Sequence, residues 1–211
     1  MTRLTWLLSA AAMLLSSVAM ADTVPPDVLV KTTATEVLDI VKKDKEIQNG
    51  DMKKIVALTE EKILPHFNFD RMSQLVLGRN WTKASKDQQD KFVGEFRDLL
   101  VRTYSSALAK YRNQTMEFKP LKAQPNDTKA VVKTLIVQSG SQPIKIDYSM
   151  EKKTDVWKVV DVTIEDVSIV TSYRSQFDET IKKDGMDALI QKLVEKNRQG
   201  SSTAAADKKQ G

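Results

Sequence analysis

The amino-acid sequence predicts an α+β fold in which helices cover the apolar face of an antiparallel sheet. Three observations carry this reading. Apolar residues recur at helical spacing up to Tyr111 and again after Ser168, whereas between Thr115 and Ile164 they alternate with polar ones. The reversals between the alternating runs are shorter than the dozen or so residues that a parallel crossover needs, so the strands form a meander. Alternation leaves one face apolar and the other wet, and the apolar face must be covered.

The elements follow in order. After Pro25-Pro26, the residues Val30, Ala34, Val37, Leu38 and Val41 mark a first helix, and Asn49-Gly50-Asp51 interrupts the chain. Met52, Ile55, Val56, Thr59 and Ile63 form the stripe of a second helix, which Pro65 stops. A short third helix presents Phe69, Met72, Leu75 and Val76 and ends at Gly78. Ser85 and Gln88 make a capping box at the start of the longest helix. Its stripe of Phe92, Phe96, Leu99, Leu100, Tyr104, Ala107, Leu108 and Tyr111 is large and aromatic.

Met116 and Phe118 open the first strand, Pro125-Asn126-Asp127 turns the chain, and Lys129 to Val137 is a β-branched run. Gly140 and Pro143 mark the next reversal. Ile144, Ile146, Tyr148 and Met150 then alternate with Lys145, Asp147, Ser149 and Glu151. Lys152 to Asp155 turns again into a last strand, Trp157 to Ile164, with Val160, Val162 and Ile164 on one face and Asp161, Thr163 and Glu165 on the other. Ser168 caps a helix bearing Val170, Tyr173, Phe177 and Ile181, which Gly185 ends. Met186, Leu189, Ile190, Leu193 and Val194 belong to the final helix, and residues 199–211 read as a disordered tail.

With 211 residues, 41% of them apolar, the chain has the material for one buried core. Arg3, the apolar run from Leu4 to Val18 and Ala19-Met20-Ala21 form a signal peptide over residues 1–21, with cleavage expected after Ala21. That apolar run is shorter than the roughly 20 residues of a spanning helix. Residues 22–198 are then a single exported α+β domain with a helical lobe, and a monomer is expected. Removing Arg3 leaves a net charge of +4, interspersed rather than clustered, so nucleic acid is not an expected partner. The excess suits anionic lipid headgroups, acidic partners or plain solubility.

Chemistry-bearing motifs are scarce. The sequence has no cysteine and a single histidine, His66, and it lacks a G-x-S-x-G elbow, a Gly-rich phosphate loop and an H-E-x-x-H motif. Asp147, Asp161 and the pair Glu165-Asp166 read as solvated charge, and His66 as a surface or capping residue. No catalytic residue, metal site or cofactor is expected.

The segment Pro65-His66-Phe67-Asn68-Phe69-Asp70-Arg71-Met72, then Leu77-Gly78-Arg79-Asn80-Trp81, then Gln88, Phe92, Phe96 and Tyr104 resembles the MlaC family of periplasmic phospholipid-binding proteins, also called the toluene-tolerance family. Trp157-Lys158-Val159-Val160-Asp161-Val162, Val167-Ser168 and Tyr173-Arg174-Ser175-Gln176-Phe177 resemble the same family's strand-to-helix signature, with Asp166 where the pattern often has Gly. The matching stretches run from Val30 to Val194.

The resemblance implies an NTF2-like twisted sheet joined to a helical lobe, with an apolar cavity between them for acyl chains. It further implies a phospholipid carrier in the periplasm of a Gram-negative bacterium that maintains outer-membrane lipid asymmetry. Its partners would be an outer-membrane lipoprotein-porin complex and an inner-membrane ABC transporter with an MCE-domain protein; phospholipid is cargo rather than cofactor.

Each acyl CH₂ exposed to water costs about 0.8 kcal/mol, on the order of 10 kcal/mol per long chain, so such a carrier needs a dry apolar hollow. The candidate walls are Phe96, Leu99, Leu100 and Tyr104 on the long helix, and Leu135, Val137, Ile144, Ile146, Tyr148, Met150, Val160 and Val162 on the sheet. Arg71, Arg79 and Lys83 are candidates for the headgroup. Two competing readings stand beside the carrier: an NTF2-like small-molecule enzyme using Asp147 or Asp161, and a lipid-free interaction module.

Overall fold

The structure, a computed structural model, describes residues 24–206 apart from 112, 123 and 125, with side chains described up to residue 199. The signal peptide and its cleavage point therefore lie outside the described residues, as do Pro125 of the expected turn and residues 207–211.

Among the described residues, seven α-helices and five strands follow the expected α+β order: α1 (Pro26–Lys43), α2 (Lys45–Gln48), α3 (Met52–Leu58), α4 (Phe69–Leu77), α5 (Lys86–Ala109), β1 (Thr115–Phe118), β2 (Lys129–Val137), β3 (Ile144–Lys153), β4 (Val156–Ile164), β5 (Val167–Ser168), α6 (Ile169–Asp184) and α7 (Met186–Ala206). Residues 199–206 thus continue α7 instead of starting a loose tail. The run Ala204-Ala205-Ala206 has the highest intrinsic helix propensity and does not oppose the extension.

Short polar side chains set the helix starts. Asp44, Asp51, Asn68 and Ser168 each accept from backbone N–H groups at the starts of α2, α3, α4 and α6. The capping box at α5 is complete: Gln88 N donates to Ser85 Oγ at 3.2 Å, and Ser85 N donates to Gln88 Oε1 at 3.0 Å. The expected second helix does not run straight to Pro65. A π-turn over Thr59–Ile63 and a 3₁₀ turn over Leu64–His66 follow α3, and Thr59 Oγ1 donates to Ile55 O at 2.8 Å where the helix widens.

The sheet is a meander in the order β1-β2-β3-β4-β5, antiparallel throughout. Thr154 and Asp155, both at positive φ, make the two-residue turn between β3 and β4. Glu165 and Asp166 do the same before β5, with φ of 47° and 64°, so Asp166 takes the left-handed conformation that Gly takes easily.

Two apolar clusters result. The larger lies between the sheet and α4 to α7, centred on Phe92 and Phe96, which pack with Tyr173 and Phe177 at ring-centroid distances of 5.6 to 5.8 Å. The smaller joins Val37, Val41, Ile47, Ile55, Leu58 and Tyr111, and ties α1, α2 and α3 to the end of α5. The helical lobe therefore has its own small core, set against the main one.

Candidate functional site

Two apolar chambers sit along the seam between these clusters. One, of about 150 Å³, lies between α1, the 3₁₀ turn and the sheet, and is walled by Val30, Val37, Met116, Met150 and Val159 among others. The other, of about 240 Å³, lies between the π-turn, α5 and the far end of the sheet, with Leu100, Tyr104, Ile146, Val162 and Ile164 in its wall. Ile63, Phe67, Leu108 and Tyr148 line both, so they form a partition between the two spaces. An apolar cavity of about 150 Å³ stays dry and holds a benzene-sized guest. Each chamber has volume for a short stretch of hydrocarbon, and the four shared residues separate the two.

The walls carry little polarity. Among the described residues, no carboxylate lines either chamber. Tyr148 is half-buried by surface area, with its ring toward the chambers, and burial pushes its phenol up to about 12, with Thr134 as its hydrogen-bonding neighbour. His66 lines the smaller chamber, and burial, aided by the Lys158 cation, holds its imidazole below the usual histidine range. It is a wall residue there rather than a plain surface or capping one. Asp161 accepts from Ser168 Oγ at 2.6 Å and Val170 N at 3.0 Å, while Asp147 pairs with Lys133 at 3.6 Å. Both carboxylates are committed to the scaffold. Among the described residues, no group of His, Asp or Glu could hold a metal ion, and no helix is long and apolar enough to cross a membrane.

The fold brings together half of the twelve apolar candidates. Leu100, Tyr104, Ile146, Tyr148 and Val162 line the larger chamber, and Met150 lines the smaller. The others are placed elsewhere for identifiable reasons. Phe96 and Leu99 are 0% and 2% exposed and belong to the packed core. In β2 the inward residues are Ala130, Val132 and Thr134, so Leu135 and Val137 fall on the opposite parity. Ile144 pairs with Ile136 at the open end of the sheet and is 44% exposed. Val160 is skipped in the register, since Ser149 pairs with Asp161 and Met150 with Val159; this bulge turns Val160 into a groove on the other face, beside Val131 and Lys133.

None of the three headgroup candidates lines a chamber. Arg71 is clamped to β3, donating from Nε to Glu151 Oε2 at 2.9 Å and from Nη2 to Oε1 at 3.2 Å. Arg79 and Lys83 border a polar recess with Arg174, Asp178 and Lys182, which shares no residue with the apolar chambers.

Residues 31–195 match the family model described as MlaC protein. The chain belongs to the MlaC family. It is 27% identical over 195 residues to the intermembrane phospholipid transport system binding protein MlaC of Haemophilus influenzae, covering 91% of this chain and 90% of that one. It is 26% identical over 163 residues to toluene tolerance protein ttg2D of Pseudomonas putida, covering 77% of this chain and 75% of that one. Among solved structures it resembles the phospholipid-binding protein from Ralstonia solanacearum in complex with a phospholipid, with 37% identity and a TM-score of 0.78 over 86% of this chain and 99% of that one.

The resemblance to MlaC stated from the sequence is thus established, while most of the cavity wall of this MlaC family member lies outside the twelve candidates. Val30, Thr33 and Val37 of α1, Ile63 of the π-turn, Phe67 and Met116 all line chambers. Period marks Val30, Val37, Ile63 and Met116 only as apolar and does not mark Thr33 or Phe67 at all, and nothing local tells a core-facing residue from one facing a void. Phe67 is held there by its neighbour Asn68, whose backbone N donates to Val159 O at 2.9 Å and pulls this segment against β4.

Proposed function

We propose that this protein is a periplasmic phospholipid carrier that holds acyl chains in the paired chambers and passes lipid between membrane complexes. The observation that carries this reading is the seam itself: two adjoining chambers, apolar on nearly every wall, in a fold that resembles a protein solved with a phospholipid. Replacing bilayer hydrocarbon requires such walls and no reactive group. Acyl chains enter once Ile63, Phe67, Leu108 and Tyr148 move apart, and the helical lobe, with its own small core, is the body that yields.

The same reading assigns the chain an outer-membrane lipoprotein-porin complex and an inner-membrane ABC transporter with an MCE-domain protein as docking partners, and a role in outer-membrane lipid asymmetry. Names of relatives support transport between membranes. A headgroup outside the chambers faces water, in keeping with cargo recognised mainly through its chains.

Organic-solvent extraction of the detergent-free protein from its native envelope, followed by mass spectrometry, tests this. Stoichiometric phospholipid is the expected result. Protein recovered empty from a lipid-replete envelope, and unable to take lipid from vesicles, would overturn the carrier in favour of a lipid-free interaction module.

A further inference from the structure

The larger chamber contains one polar group whose role the packing leaves open. Ser105 lies on α5 four residues after Val101 and three before Leu108, both of which line the chamber, so all three share a helix face. It is only 4% exposed, it lines the chamber, and its Oγ has no hydrogen-bond partner among the described residues. The other hydroxyls in that wall are accounted for. Thr59 Oγ1 donates to Ile55 O at 2.8 Å, Tyr148 has Thr134 beside it, and Tyr104 is 37% exposed. A buried hydroxyl without a partner destabilises the fold, and an alanine here would be the better helix former.

We infer that Ser105 is a hydrogen-bond donor kept for the cargo, and that its acceptor is an ester carbonyl oxygen of a glycerolipid. This inference rests on the carrier reading. An acyl chain offers nothing to a hydroxyl, and a phosphate is too costly to desolvate in a chamber with no cation in its wall. The headgroup lies beyond the phosphate, whereas the ester carbonyl is the strong hydrogen-bond acceptor nearest the chains of a diacyl phospholipid. It accepts without donating, sits where chain meets glycerol, and is the least strongly hydrated of the lipid's polar parts. Ser105 thereby sets how deep the glycerol end is drawn, while the chains run on past Ile146 and Tyr148.

The test compares two probes and two proteins. Delipidated wild-type and Ser105→Ala proteins are loaded from vesicles of dioleoyl phosphatidylglycerol or of its dioleyl ether analogue, which lacks the carbonyls, and retained lipid is measured by mass spectrometry. Wild type is expected to retain the ester lipid about three- to tenfold better than Ser105→Ala does, the span of one neutral hydrogen bond. The two proteins are expected to retain the ether lipid equally. Lipid-free Ser105→Ala should melt no lower than wild type.

Equal retention of the ester lipid by both proteins, or an equal loss of ester and ether lipid in the variant, would overturn the assignment while leaving the carrier reading intact. Failure of wild type to retain either lipid would instead sink the carrier reading, and this inference with it.

Discussion

Arg71 and Glu151 join α4 to β3 through two parallel N–H to carboxylate hydrogen bonds, at 2.9 and 3.2 Å, across 80 positions of sequence. The same guanidinium reaches Gln74 Oε1 at 3.4 Å, so three of its donors are directed within the fold. An arginine so held is a strut and not a free lipid ligand.

Arg71→Ala should therefore lower stability and leave phospholipid occupancy unchanged. The pair is about one-third exposed, so water and salt screen it, and a double-mutant cycle with Glu151→Gln should give a coupling of about 0.5–1 kcal/mol. Urea titration at low and high salt measures it. A fall in lipid content at constant folding would return Arg71 to the list of headgroup ligands.

Phe96→Ala tests the boundary between core and cavity. The ring is fully buried and packs against Phe92, Tyr173 and Phe177, so its removal should cost about 3–5 kcal/mol. Leu99→Ala, at 2% exposure, should cost about 2–5 kcal/mol. Both losses should appear in the urea midpoint of the lipid-free protein. A variant of normal stability that no longer holds lipid would place Phe96 in the cavity wall instead.

What the sequence made legible was local chemistry, and what it hid was packing at a distance. The capping box at Ser85 and the terminator at Gly78 depend on a few neighbouring residues and were readable. Leu135 and Val137 lie on the parity opposite the inward row, which the sequence hides because the run from Thr134 to Val137 is almost wholly apolar and gives no parity. The inward residue there is Thr134, whose Oγ1 donates to Ile146 O at 2.9 Å. The bulge at Val160 breaks the two-residue period without any Gly or Pro to announce it. The smaller chamber is walled by residues more than 100 positions apart, such as Val30 and Val159, beyond the reach of any local pattern.

Tyr148 gives the fold an alkaline limit. Its phenol titrates near 10 in an unfolded chain and is pushed up to about 12 by burial, so the unfolded state loses its proton first. The stabilising difference is complete below about pH 10 and is lost as pH rises towards 12. Tyr148→Phe should flatten that part of the stability curve relative to wild type and leave the curve below pH 10 parallel. The difference between the two proteins isolates Tyr148 from the lysines that titrate in the same range. Identical alkaline slopes would mean that the hydroxyl reaches bulk water.

Leu108 stands in the partition between the chambers, on the helix that also carries Leu100 and Ser105. It is half-buried because part of its side chain faces void, and a larger side chain there has room to grow without forcing its neighbours apart. Leu108→Trp should occupy part of the 240 Å³ chamber next to the partition and prop the partition shut. The lipid-free variant is then expected to melt at or above the wild-type temperature, because added contacts replace empty space. Bound phospholipid, counted by native mass spectrometry, should fall several-fold, and the rise in melting temperature on adding lipid should shrink with it. Stability and lipid occupancy moving in opposite directions is the signature of a hollow that matters for cargo. If both fall together, the tryptophan has disrupted a packed core and the chambers are incidental gaps.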